Sequence, residues 1–525
     1  MTANKLLGWL PQFPPPNMSQ KGTYMTLSFS DLLEKSTNTA YTENGALSNA
    51  STLDSVLNLF AQGGAYRGRS QKDRENLIRF ALGQDFETGL RALFYLGDVR
   101  EGQGERALFK TGLRILAEEY PAIISKIVDL IPEYGRWDYL YVLKDTPAEK
   151  AMIQVLKNEH QRCLTEGTSS LMYKWLKSVN TSSKESRKLG RWTAKVLGYQ
   201  ASIKGYNLYQ KDVTRGRALL GDAVVEVKMT ANLFDKIDYS KVPAKASLKY
   251  KKSFLKRDTE RFVAFHQKVA KGEAKINTAT LYPHEVVHAY KNAQKIDQVL
   301  ENTWDSMRKE IKTEDSAIYI VDVSGSMYQT VSRASSVLAV NVAHALGLFG
   351  AESLSGPFKD KAILFSSRPQ FLDFSKAGKS LFSRLQYLNK FNDCSNTDLQ
   401  ASFDLILNTA VENRVAQEEL PNKVIVISDM EFDPSHHNLT NFDAIKAKFA
   451  RAGYVAPQIV FWNVTARTDQ FPATKYDNGV ALISGYSPSI MVSLLSGKLV
   501  SPIDLMLKVL NTPRYDKLID KIRGL

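Results

Sequence analysis

From Thr52 onward the apolar residues recur three and four positions apart: Leu53, Val56, Leu57 and Phe60, then Leu77, Phe80 and Ala81, then Leu90, Leu93 and Phe94. This spacing gathers them on one side of a helix, so the segment predicts helix after helix with short breaks. Leu113, Ile115 and Leu116, and then Ile123, Ile124, Ile127, Leu130 and Ile131, extend the pattern, with Pro121 and Pro132 at helix boundaries. Antiparallel helix pairs stacked as a HEAT-like repeat account for such a run, although no fixed repeat length is visible. Residues 1–50 differ: they are rich in Pro, Ser, Thr, Asn and Gly, weakly periodic, and expected to form an extended arm.

After Lys312 the pattern changes to short β-branched runs, residues 317–323, 362–366, 424–428 and 458–464, separated by helical spacing over 331–348 and 399–411. Strands that are almost continuously apolar belong to a mostly parallel sheet covered on both faces, and such sheets bind ligands beyond the carboxyl ends of their strands. Apolar helical runs at 490–495 and 502–510 follow the last strand and are expected to return toward the helical part. The chain thus divides into an arm (1–50), a helical-repeat domain (51–312) and a Rossmann-like α/β domain (313–525).

Composition fits a folded chain, with 43 % hydrophobic and 24 % charged residues. The two cysteines, Cys163 and Cys394, form no CxxC pair, which argues against a disulfide framework or a zinc site and for a reducing cytoplasm. No apolar run approaches a signal peptide or a membrane span, so a soluble, non-secreted protein with no membrane contact is expected; a monomer is expected as well. The net charge of +14 lies entirely in residues 1–312, where 48 Lys and Arg face 34 Asp and Glu; residues 313–525 hold 21 of each. Residues 171–261 alone carry 21 basic against 8 acidic side chains, a polyanion footprint. There Lys174, Arg187, Lys188, Arg191, Lys249, Lys251, Lys252, Lys256 and Arg257 are interleaved with Trp175, Trp192, Tyr206, Tyr209, Tyr250 and Phe254. RNA would use such a mixture, cations on phosphates and aromatic faces under unpaired bases. The same aromatics would equally serve as helix-packing residues, and the lysines as a solvated face.

Residues 318–327 read Ile-Tyr-Ile-Val-Asp-Val-Ser-Gly-Ser-Met, a strand ending in D-x-S-x-S. Asp322, Ser324 and Ser326 offer hard oxygens of the kind Mg2+, or secondarily Mn2+, accepts, and Gly325 permits a tight turn. A second strand delivers Asp429 to the same edge, and the loop over 392–398 supplies Thr397. The bland alternative has Ser324 and Ser326 capping a helix and Asp322 as a buried hydrogen-bonding carboxylate. In chain order the five residues match the metal-site pattern of von Willebrand factor A (vWA) domains. Two aspartates nearly neutralise a divalent ion, and three hydroxyls leave it electrophilic, with a position open for a partner's carboxylate or water. Catalysis is not expected, because His344 lies inside a helical run, and His436 and His437 follow the turn-forming Asp433-Pro434. Residues 100–106, Arg-Glu-Gly-Gln-Gly-Glu-Arg, read as an exposed turn between helices. Arg100 and Arg106 would there meet phosphate, or pair with Glu101 and Glu105. No strand precedes the glycines and no GKS or GKT follows them, which excludes a nucleotide-binding loop.

The phrases at 100–106, 131–138 (Ile-Pro-Glu-Tyr-Gly-Arg-Trp-Asp), 228–232 (Lys-Met-Thr-Ala-Asn), 281–285 (Leu-Tyr-Pro-His-Glu), 322–327 and 428–432 (Ser-Asp-Met-Glu-Phe) resemble those of the Ro autoantigen (TROVE) proteins. They look closer still to phage and eukaryotic homologues with the same pair of domains. The resemblance runs from about residue 50 to the C-terminus. It implies a ring of helical repeats closed by a vWA domain, with Asp322, Ser324, Ser326, Thr397 and Asp429 as metal ligands. It also implies small non-coding RNAs on the outside of the ring and single-stranded ends of misfolded RNAs in its hole. Where the family has Gly-Gly before the loop threonine, this chain has Ser395-Asn396. The expected function is a non-catalytic RNA-binding scaffold whose vWA domain recruits an acidic protein partner through metal. A protein-interaction adaptor or phage structural component without RNA is the alternative, and a metal-dependent nuclease a third reading.

Overall fold

The computed structural model of the 525-residue chain describes residues 28–290, 293–309, 315–365, 367–391, 395–435, 439–495 and 497–523. A first unit, Met1–Thr37, contributes one described helix, Phe29–Thr37, which has no buried residue. Ser28 opens it: its hydroxyl accepts the Asp31 N–H at 3.2 Å, and the Asp31 carboxylate accepts the Ser28 N–H at 2.9 Å.

The second unit, Asn38–Leu525, begins with an antiparallel hairpin of β1 (Thr39–Tyr41) and β2 (Leu47–Asn49). These residues, read as part of an extended arm, are fixed by polar contacts that a hydrophobic pattern does not reveal. Asn49 exchanges backbone hydrogen bonds of 3.0 and 2.8 Å with Phe471, and the Ser48 hydroxyl donates to Gln470 at 2.5 Å.

Helices then fill the chain from Ser55–Gly63 to Gln298–Arg308. Asp85 shows how one stops and the next begins. Its N–H closes the helix Gln71–Gln84 on the Ala81 carbonyl, while its carboxylate accepts the Thr88 N–H to open Phe86–Gly97. Leu57, Phe60, Leu90, Leu93 and Phe94 are buried as their spacing predicts; Phe80, grouped with them, is 67 % exposed.

From Ala317 the chain builds a six-stranded sheet of β3 (Ala317–Asp322), β4 (Lys361–Phe365), β5 (Gln370–Asp373), β6 (Lys423–Ser428), β7 (Gln458–Asn463) and β8 (Val480–Ser484), in the order β5-β4-β3-β6-β7-β8. Every pairing is parallel except β4 with β5. Alternation along each strand splits the core. Ile318, Ile320, Val424, Val426, Ile459 and Phe461 pack on one face with Phe403, Ile445 and Phe449. Tyr319, Val321, Ile425, Ile427, Val460 and Trp462 pack on the other, in a cluster that continues into Leu57, Leu93 and Leu113 of the helical part. Helix and sheet thus share one core across residue 312. The helix expected from 331 begins only at Ala339, because Ser332, Arg333, Ser335 and Ser336 form a polar loop in which the Val331 N–H bonds the Val337 carbonyl.

The loop at 100–106 is not an exposed turn: Gln103 and Glu105 are buried. A Cβ at Gly102 would lie 1.9 Å from the Tyr95 carbonyl oxygen, and Gly104 has a φ of 60° with the Tyr282 hydroxyl 2.1 Å from its would-be Cβ. Gln103 donates to the Tyr95 hydroxyl at 2.8 Å and accepts the Ser487 N–H at 3.3 Å, just beyond β8. Glu101 and Glu105 do not pair with Arg100 or Arg106. Glu105 holds Arg67 at 2.5 Å and caps the helix Arg106–Glu119, while Glu101 lies 3.4 Å from Arg514. Arg514 opens onto Asp98, donating one bond of 2.8 Å and a second, shorter one. It belongs to the C-terminal helix Pro513–Ile522, whose Tyr515 stacks on Tyr134 at 5.8 Å.

Tyr515, 2 % exposed, fills the space between Tyr95 and Tyr134. Tyr515→Ala should therefore cost about 3–5 kcal/mol, read as a lower midpoint in urea unfolding of the whole chain; an unchanged midpoint would show that this helix does not hold the helical part.

Candidate metal centre and basic helix face

β3 and β6 lie side by side with Val321 opposite Ile427, so Asp322 and Ser428 end their strands together. Connectivity reverses here: β4 and β5 lie to one side of β3, β6 to β8 to the other. Ligands of α/β sheets bind at such a switch point.

Asp322 is wholly buried. One carboxylate oxygen accepts the Ser324 N–H at 2.9 Å and the other the Ser428 hydroxyl at 2.5 Å. Burial first, and then the negative charge of Asp429, pushes its carboxyl from the ordinary 3.8 up to about 7. Ser324 precedes a short 3-10 turn, Gly325–Tyr328, but its side chain caps nothing there and lies 3.1 Å from the Ser326 hydroxyl. The Gly325 N–H reaches the Ser395 carbonyl at 3.4 Å, which holds the loop before Thr397 against this turn. Thr397 is 2 % exposed, and its carbonyl accepts the Asp433 N–H at 2.9 Å.

Asp429 follows β6 and is buried; Met430 after it sits at φ 67°. A side-chain-bearing residue there costs about 1–2 kcal/mol. In that kink Ser428 Oγ accepts the Met430 N–H at 3.0 Å, and an Asp429 oxygen accepts the Glu431 N–H at 3.2 Å.

The five expected residues therefore come to one edge. Two buried carboxylates and three hydroxyls, with no imidazole or thiolate, fit a hard divalent cation such as Mg2+ and not a soft one. Among the described residues no group of three or more His, Cys, Asp or Glu is arranged to hold a metal; this set has two such residues and takes its other donors from hydroxyls. Burial pushes His344 down to about 4, a neutral ring inside the helix Ala339–Ser353. Cys163 is buried; Cys394, His436 and His437 lie outside the described residues.

Sequence reasoning missed the groups around these five. Ser428 orients Asp322, and Arg467 lies 3.4 Å from the second Asp429 oxygen. Glu431, 1 % exposed and pushed upward by burial, accepts the Thr468 hydroxyl and, at 2.6 Å, the backbone N–H of Glu43. Asn44 reaches the Glu431 carbonyl at 2.7 Å and the Thr397 hydroxyl at 3.5 Å. The phrase Ser-Asp-Met-Glu-Phe contains Ser428 and Glu431 and is the one signal that could have found them; no sequence signal ties residues 43, 44 and 467 to the site.

The basic residues fall on three helices. On Ala244–Arg257, Lys249, Lys252 and Lys256 are exposed and continue a stripe from Lys245 at i, i+4, i+7 and i+11. Arg257 is also exposed, whereas Lys251 points to an ion pair with Asp297. On Lys184–Val196, Lys188 and Arg191 are exposed, Arg187 half-buried, and the Arg191 guanidinium lies 5.5 Å over Tyr206. Lys174 donates to the Ala223 carbonyl at 3.2 Å and is pushed below its ordinary value by burial. Arg136 covers a face of Trp175 at 3.8 Å, Trp192 packs on Tyr141, and Phe254 is fully buried, so the interleaved aromatics serve packing. Lys245 also lines a cavity of about 970 Å³ with Arg67, Arg106, Tyr282, His284 and Arg333. Arg67 and Lys245 pair there with Glu105 and Glu285. Among the described residues Arg106 and Arg333, both exposed, have no ion-pair partner.

The chain is similar to two families, each described as a domain of unknown function: DUF7788 over residues 316–509 and DUF2828 over residues 193–316. The two meet one residue before β3. The five sheet-edge residues lie in the first match and the Lys245 stripe in the second. An uncharacterized protein of Acanthamoeba polyphaga mimivirus is 26 % identical in an alignment 518 residues long that takes in 90 % of this chain and 87 % of that one. Among the described residues no helix is long and apolar enough to cross a membrane.

A carboxyl raised on folding, as Asp322 is, contributes stability that is complete below its unfolded value near 3.8 and is lost as pH rises through about 7. With chelator present, the melting temperature of the native chain should thus fall relative to that of Asp322→Asn between pH 4.5 and pH 8. A constant difference across that range would show that Asp322 is not held protonated.

Proposed function

We propose that the protein is a non-catalytic, TROVE-like RNA-binding scaffold, in which a HEAT-like helical part holds single-stranded RNA and a vWA-type sheet edge holds Mg2+ for a protein partner. The observation that carries the RNA reading is the cavity at Arg106 and Arg333, from which the Lys245–Lys249–Lys252–Lys256 stripe runs outward. Unpaired guanidiniums at a cavity suit bidentate phosphate, and the exposed Lys249, Lys252 and Lys256, spread over roughly 10 Å of helix, give a backbone several equivalent contacts. Base stacking has little support in the 171–261 region, where the aromatic rings are engaged in packing.

Lys249→Glu, Lys252→Glu and Lys256→Glu together should weaken binding of unstructured RNA by orders of magnitude at low salt. Three lost phosphate contacts should also flatten the slope of log K against log salt by about 2. Lys251 is left in place because it serves Asp297. Unaltered affinity in a folded triple variant would overturn the RNA reading in favour of a protein adaptor.

The metal reading rests on the buried Asp322–Asp429 pair at the switch point, whose mutual repulsion a divalent ion would relieve. Mg2+ at a hundred times its Kd should stabilise the chain by about 2.7 kcal/mol. Asp429→Ala should abolish that shift in melting temperature, Thr397→Ala should reduce it, and both should leave RNA affinity unchanged. A native chain with no Mg2+-dependent shift would remove the metal reading.

A further inference from the structure

We propose that the turn of the β1–β2 hairpin is the built-in occupant of the sheet-edge cation site, with the Glu43 carboxylate taking the coordination position that the five sheet-edge residues leave open. The inference rests on the metal reading and goes beyond it, because it places the acidic group in this same chain.

Three observations carry it. The hairpin turn is fastened to the site on both sides of Glu43: the Thr42 hydroxyl donates to the Phe432 carbonyl at 2.7 Å, and Asn44 donates to the Glu431 carbonyl at 2.7 Å and lies 3.5 Å from the Thr397 hydroxyl. The Glu43 N–H itself is held by Glu431 at 2.6 Å, which fixes the backbone from which its side chain departs. That side chain is paired with Arg467, and the same guanidinium lies 3.4 Å from Asp429. One cation therefore already bridges Glu43 and a candidate metal ligand.

Charge decides what a metal ion would do there. Asp322, Asp429, Glu431 and Glu43 are four acidic groups, and Arg467 is the cation paired with two of them. A divalent ion between Asp322 and Asp429 repels the guanidinium and attracts the carboxylate that it releases. Asp322, Asp429 and Glu431 are buried, whereas the Glu43 side chain is 42 % exposed and held by the ion pair with Arg467, the contact that a bound ion would displace. Carboxylate oxygen is also the donor that a hard cation with three hydroxyl ligands favours. Glu43 would hold the place of an acidic partner residue, and a partner in trans would have to lift the turn to reach the ion.

The test is Mn2+ binding to the full chain by calorimetry, with backbone hydrogen exchange of residues 42–46 measured with and without the ion. Glu43→Gln should weaken Mn2+ binding at least tenfold and abolish ion-induced protection of the turn. Arg467→Gln, which removes the competing cation, should tighten binding. Mn2+ affinity and turn protection in Glu43→Gln equal to those of the native chain would overturn the proposal while leaving the metal reading intact. No Mn2+ binding by the native chain would overturn both, and Asp322→Asn supplies the reference for that outcome.

Discussion

The pairing of β3 with β6 governs the sheet edge. Because the two strands run parallel with Val321 opposite Ile427, their ends deliver Asp322 and, one residue after Ser428, Asp429 to the same buried spot. Two carboxylates removed from water must share a proton, acquire a cation or be separated. The surroundings answer that demand with Ser428 on one carboxylate, Arg467 on the other, and a kinked Met430 that fixes the second in place. Helix packing on both sheet faces keeps the pairing from slipping, since a shift of one residue would exchange the Ile318 and Tyr319 sides of the core.

The sequence was most legible where apolar runs were long. β3, β4, β6 and β7 were readable within a residue, because a strand buried on both faces is almost uniformly apolar; β8, just as buried, was not read. β5 was not, since three of its four residues keep partial or full exposure, and β1 and β2 were not, because three-residue strands held by Asn and Ser leave no periodic signal. The same limit applies to the site. Asp322, Ser324, Ser326, Thr397 and Asp429 stand at strand ends or helix starts that the pattern locates. Glu43, Asn44 and Arg467 reach the site across nearly four hundred residues of sequence, or from a loop after β7, and only the folded chain brings them there.

Charge was legible as a total and less so as a surface. The excess over 171–261 is real, yet Lys251 and Lys174 are engaged inward and Trp175 lies under Arg136. The cations that remain outward form regular stripes, and the cavity adds Arg106 and Arg333 from outside the segment that composition picked out. A basic region defined by counting thus holds two populations, one supporting helices and one facing solvent.

The bond between Asp98 and Arg514 joins residues 416 positions apart. Asp98 has no exposed surface, and the apolar faces of Phe86–Gly97 and Pro121–Ile127 are completed by Tyr515, Leu518 and Ile519 of the helix Pro513–Ile522. Synthesis proceeds from the N-terminus, so while the ribosome is still making the sheet those early helices carry an uncompensated carboxylate and an open greasy seam. Their final docking waits for Arg514 to be made, so the order of synthesis leaves that seam open until the whole sheet has preceded it in the chain.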